Sequence, residues 1–180
     1  MAKFEISANQ LKNDLQKEIE KLDWKEFHPM VLDEKPIFTD LFTAGKGSSV
    51  CGGAVAVTNM DTLYSTFFID AILKLFYTPV MKFIMGDSVV IKLLRILHLA
   101  KSPETIYTKF VHQLVVHENR HCHQIHWLMD KSKNLAEKVY AAEQKSFYGN
   151  GAMEKDAYKY QISEKHVPFE EVFKDFLEAA

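Results

Sequence analysis

The sequence predicts a mostly helical α+β chain in which a small β-hairpin or sheet lies beside one long helix. Three observations carry that expectation. Apolar residues recur every three or four positions in several separate stretches, the pattern of helices that bury one face. Residues 49–67 are instead small and β-branched, with turn residues near the middle. Between Pro103 and Asp130 no breaker interrupts a helical pattern that has His117-Glu118-Asn119-Arg120-His121 at its centre.

Composition narrows the classes further. A chain of 180 residues is most simply one domain over 1–180, large enough for a substantial core. Hydrophobic content of 47% and charged content of 26% set aside disordered and fibrous proteins. A net charge of −2 supplies no general attraction for nucleic acid, so none is expected as a partner. Cys51 and Cys122 fit reduced thiols better than a secreted disulfide framework, and Met1-Ala2-Lys3-Phe4-Glu5-Ile6 has no apolar signal-peptide region. The expected location is cytoplasmic.

In chain order, Ser7 can cap a helix over residues 8–23 that places Leu11, Leu15, Ile19 and Leu22 on one face. Pro29 and Pro36 break residues 24–38 into an irregular or extended connector. Periodicity does not decide between strand and helical turn for 36–48. Ser49 to Thr58 and Thr62 to Phe67 read as strands joined by Asn59-Met60-Asp61, with Gly52-Gly53 suited to a bulge.

Residues 67–100 are the most apolar stretch, but Asp70, Lys74, Lys82, Pro79 and Gly86 interrupt it. No window therefore has the ~20 apolar residues of a spanning helix. The stretch predicts two or three short helices, the last carrying Lys92, Arg95 and Lys101 beside Val89, Leu93, Leu94, Ile96 and Leu97. Such helices pack on the core. The alternative is a basic-rimmed surface for a membrane, a partner chain or a second copy of this chain, with the protein then peripheral to a membrane.

Ser102-Pro103-Glu104 opens the long helix with a capping serine, a first-turn proline and an acidic residue that suits the helix dipole, and the helix runs to about residue 129. A further helix spans 135–147 and ends at Gly149-Asn150-Gly151; another begins near Ala152. After Pro168, Phe169, Val172, Phe173, Phe176 and Leu177 have the spacing of a closing helix.

On a helix that turns about 100° per residue, His117 and His121 lie one turn apart on one face, where both imidazoles can reach one Zn²⁺ ion. Glu118 stands beside them, placed to take a proton from a metal-activated water. His112, His123 and His126 fall roughly opposite and cannot complete the same coordination sphere. A catalytic zinc site needs a third protein ligand, and no further histidine follows at the spacing of a three-histidine site. A glutamate must supply it. Glu143 and Glu154 both lie on expected helices.

His117-Glu118-x-x-His121-x-x-Gln124, followed later by Glu154-x-x-Ala157-Tyr158, resembles the small gluzincins, the minigluzincin-type zinc metallopeptidases. The pair Ala54-Val55-Ala56-Val57-Thr58 and Thr62-Leu63-Tyr64 is similar to the strands that precede their active-site helix. The resemblance implies a zincin-like fold, one zinc per chain held by His117, His121 and Glu154, and Glu118 as general base. It favours Glu154 over Glu143, and it implies that Ala157 is small so that two helices can approach. Larger gluzincins often carry an aspartate one turn after the ligand, where Tyr158 stands here; Asp156 or Tyr158 is left to orient a ligand histidine. Tyr148, Tyr158, Tyr160 and His166 are the candidates for stabilising an oxyanion.

The expected function is therefore zinc-dependent hydrolysis of peptide bonds in a protein or peptide substrate. The alternative keeps the metal without the reaction: a zinc-stabilised binding or regulatory protein whose 67–100 segment docks a partner or membrane. A helical structural protein without metal is the third reading.

Overall fold

The computed structural model describes residues 4–22, 30–33, 56–59, 64–76, 97, 99, 101–146 and 150–179. Among them the chain is mostly helical. The elements are α1 (Ala8–Ile19), β1 (Met30–Asp33), β2 (Ala56–Asn59), β3 (Tyr64–Phe68), α2 (Ile69–Phe76), α3 (Pro103–Lys131), α4 (Lys133–Lys145), α5 (Ala152–Ser163), α6 (Phe169–Val172) and α7 (Lys174–Glu178). The strands form one sheet in the order β1-β3-β2. The expected hairpin strands are thus hydrogen-bonded neighbours over Ala56–Asn59 and Tyr64–Phe68, and residues 49–55 and 60–63 lie outside the described residues. Met30–Asp33, read from sequence as irregular or extended, adds a third strand. Four residues between prolines are too few for a periodicity to register.

The chain forms two compact units, residues 1–57 with 66–112, and residues 58–65 with 113–180. In the first, the Ser7 hydroxyl accepts from the Gln10 amide and starts α1, whose Leu11, Leu15 and Ile19 are buried at four-residue intervals. α1 packs against α2, which buries Ile69, Ala71, Ile72 and Phe76. Each isoleucine and the phenylalanine contributes roughly 1.5–3 kcal/mol on burial, and Ala71 less. The Phe76 ring meets Tyr107 and Phe110 edge-on, at 5.5 and 4.7 Å, and the Tyr107 hydroxyl donates to Asp14 at 2.9 Å. Burial, then this bond to a carboxylate, holds the Tyr107 phenol above its ordinary pKa.

α2 therefore gives the first part of the apolar 67–100 stretch a core role. Most of the remainder, including Lys92 and Arg95, lies outside the described residues. No described helix is long and apolar enough to cross a membrane.

The second unit holds the C-terminal part of α3 and everything after it. Ile125 and Leu128 of α3, Leu135, Ala136 and Val139 of α4, Met153 of α5, and Phe169 and Phe173 form one buried cluster. Ser132 breaks α3 from α4 and caps the latter, its hydroxyl accepting from the Leu135 amide at 3.2 Å. The closing segment is two short helices rather than one, because Phe173 turns out of helical geometry between them.

Candidate metal centre

Every residue of α3 from Val115 to Cys122 is buried, on all sides of the helix. An apolar run would explain that for a core helix, but here five consecutive members are His117, Glu118, Asn119, Arg120 and His121. Polar groups at such depth require partners. For His117, Glu118, Arg120 and His121 they come from α5, the sheet, the Val167 carbonyl and Gln124 of α3 itself.

His117 and His121 bring their Nε2 atoms to 3.1 Å of each other. Glu154, in the first turn of α5, places Oε2 3.4 Å from the Nε2 of His117 and Oε1 3.5 Å from that of His121. Among the described residues these three are the one group of histidine, cysteine or acidic side chains that could hold a metal ion. Two imidazole nitrogens and one carboxylate form the donor set of a catalytic zinc site, so the residues fit that ion. Ala157, three residues after Glu154 on α5, is fully buried.

The charges respond to this crowding. Burial alone would lower the His121 pKa, but the hydrogen bond to Glu154 and the negative charges of Glu118 and Glu154 raise it to about 9. Burial would raise that of Glu154, yet the hydrogen bonds from His117 and His121 hold it far below the carboxylate range.

Glu118 is buried beside the triad and does not join it. The Thr58 hydroxyl donates to its Oε2 at 2.6 Å. Thr58 has one hydrogen, committed to the carboxylate, so the Ser65 hydroxyl 2.6 Å away must donate to Thr58. Thus β2 and β3 hold one oxygen of Glu118 and leave the other unengaged by them. Cys122, one turn on, donates to the Glu118 carbonyl at 3.2 Å, and burial pushes its thiol up to about 12.

Glu143 has a different place. Its carboxylate accepts from the Met153 and Glu154 amides at 3.2 and 3.1 Å, closing the open N-terminus of α5. A Cβ at Gly151 would overlap the Glu143 carboxylate, which would then have to swing away from these amides. Glu143 thus holds the helix end that carries Glu154.

The other expected residues separate. Among the described residues Asp156 bonds no histidine; it receives the Arg120 guanidinium through both oxygens, at 2.6 and 3.1 Å, and the Gln124 amide at 2.7 Å. Gln124 in turn meets His121 Nδ1 at 2.8 Å. The Tyr158 ring lies 4.9 Å from that of His117 and is partly exposed. His166 packs on Phe169, and Tyr160 lies against the Arg120 guanidinium. Tyr148 lies outside the described residues. His112 pairs with Glu18 at 3.0 Å, in the first unit. Burial, then the charge of Arg120, lowers His123 to about 4.

Three residues near the centre escape the sequence reading. Gln161 meets His117 Nδ1 at 2.9 Å, and its position seven residues after Glu154, two turns along one helix face, is the signal that could have found it. Arg120 sits in a variable position of the motif, and Thr58 in a strand with no local mark. Compared with protein-family models, curated proteins and solved structures, the chain matches none.

Proposed function

We propose that this chain is a zinc-dependent metalloendopeptidase of the gluzincin type, with a zincin-like arrangement of helix and sheet around its centre. The observation that carries the reading is the convergence of His117, His121 and Glu154 with Glu118 buried alongside. Zinc, when bound, supplies a Lewis acid that lowers the pKa of a water towards neutrality and polarises a carbonyl.

The chain's own residues do the rest. Glu118, with Oε2 engaged by Thr58, uses its other oxygen to accept the proton of the attacking water and then delivers it to the leaving amine. Burial keeps that carboxylate out of bulk solvent, and the hydroxyl pair on β2 and β3 keeps it from swinging away. β2 ends the strand order, a position from which a strand can pair with an extended peptide. Tyr158 flanks His117 at the partly exposed side and is placed to meet a substrate.

The test is cleavage of an unstructured protein such as casein by the zinc-loaded chain. Glu118→Gln is expected to lower the rate by about 10²–10⁴-fold while zinc stays bound. Full activity in that variant contradicts the proposal. A parent that holds zinc and cleaves nothing favours the non-catalytic, zinc-stabilised reading.

A further inference from the structure

We infer that Gln124 and Gln161 fix which nitrogen each ligand histidine presents, holding both neutral imidazoles as Nδ1–H tautomers with Nε2 turned to the metal. The inference rests on the metal-centre reading above and deepens it. Its strongest part is Gln124, which is fully buried. The Gln124 Nε2 lies 3.0 Å from the Met153 carbonyl and 2.7 Å from Asp156 Oδ2. A carbonyl can only accept, and the Asp156 carboxylate, gripped through both oxygens by Arg120, accepts as well. Turning the amide over would set its oxygen against two acceptors. Oε1 must therefore face His121, and a bond of 2.8 Å to an acceptor requires the hydrogen on Nδ1. The lone pair is left on Nε2, which faces His117 and Glu154.

His117 is served from the other helix. Gln161 Oε1 lies 2.9 Å from its Nδ1, so the face of α5 that supplies the carboxylate ligand also supplies an orienting amide two turns later. Arg120, Asp156 and Gln124 thus form a buried relay that ends on one ligand, and Gln161 acts directly on the other. These are positioning residues. Both amides are neutral, whereas a carboxylate at the same place would draw on the Nδ1 proton and make the imidazole a stronger donor.

Long-range ¹H–¹⁵N correlation spectra of the full chain test this, recorded on the metal-free protein at alkaline pH and on the protein loaded with zinc alone. Both rings are expected as Nδ1–H tautomers in the parent. Gln161→Met is expected to release His117 into a tautomer mixture, leave His121 unchanged, and weaken zinc binding by on the order of 10-fold in chelator competition. Gln161→Glu is expected to restore the His117 tautomer and tighten zinc beyond the parent. An Nε2–H tautomer at either histidine in the metal-free parent overturns the inference, as does Gln161→Met with an unchanged His117 tautomer and affinity within about twofold of the parent. If the parent takes up no zinc, the metal-centre reading fails, and the metal-free spectrum still decides the tautomers. Should Gln161→Met not fold, the parent spectrum and Gln161→Glu carry the decision.

Discussion

His121 and Glu154 show what the three candidate ligand side chains do without a metal. A histidine must be neutral to bind a metal, yet His121 is raised to about 9 by its bond to Glu154 and the nearby carboxylate charges, against the effect of burial. Because the folded value lies above the unfolded one, the pairing stabilises the metal-free chain fully below about pH 6.5. That contribution is lost as pH rises through about 9. On the proposed reading zinc has to displace this proton at pH 7. Calorimetric titration with zinc in two buffers of different ionisation heat should therefore read release of about one proton per ion, and zinc affinity should rise with pH towards 9. Binding without proton release would contradict the pairing. At this scale the histidines and Glu118 were legible from spacing, since positions four apart on an unbroken helix must share a face. Thr58, Ser65 and Gln161 were not, because nothing in a local pattern says which distant hydroxyl or amide folds back onto the motif.

Among the elements, α5 decides how well the centre is built. Its N-terminus is held by Glu143 across Gly151, and its middle by Asp156, which receives the fully buried Arg120 of α3. Gly151→Ala should displace the Glu143 carboxylate, remove its bonds to two amides and destabilise the chain by about 1–3 kcal/mol. Thermal unfolding indistinguishable from the parent would show that Glu143 does not hold the helix. Asp156→Ala leaves the Arg120 charge buried and should cost about 3–5 kcal/mol, read by urea unfolding. With Arg120→Met added, the loss should be smaller than the sum of the two single changes. Strict additivity would mean that the two side chains act independently. Glu143 explains why two glutamates on neighbouring helices looked alike in sequence. Both carboxylates approach the start of α5, and only the fold tells which one caps it and which one faces the histidines.

For the whole molecule, the mostly helical character and the paired strands at 56–59 and 64–68 follow from apolar period and β-branching. α1 begins where Ser7 caps it, and α3 runs unbroken from Pro103 to Lys131, close to the expected bounds. What could not be read is the association of distant segments. A three-stranded order with the last strand in the centre, and a glutamate 36 residues after the Glu118 position facing its two histidine neighbours, depend on tertiary packing that no window of sequence contains. Elemental analysis of the full chain purified without added metal decides whether His117, His121 and Glu154 together hold one zinc ion. The parent should carry one zinc per chain, and folded His117→Ala and Glu154→Ala variants should lose it; zinc retained at the parent level in either variant, or absent from the parent, rules out this ligand set.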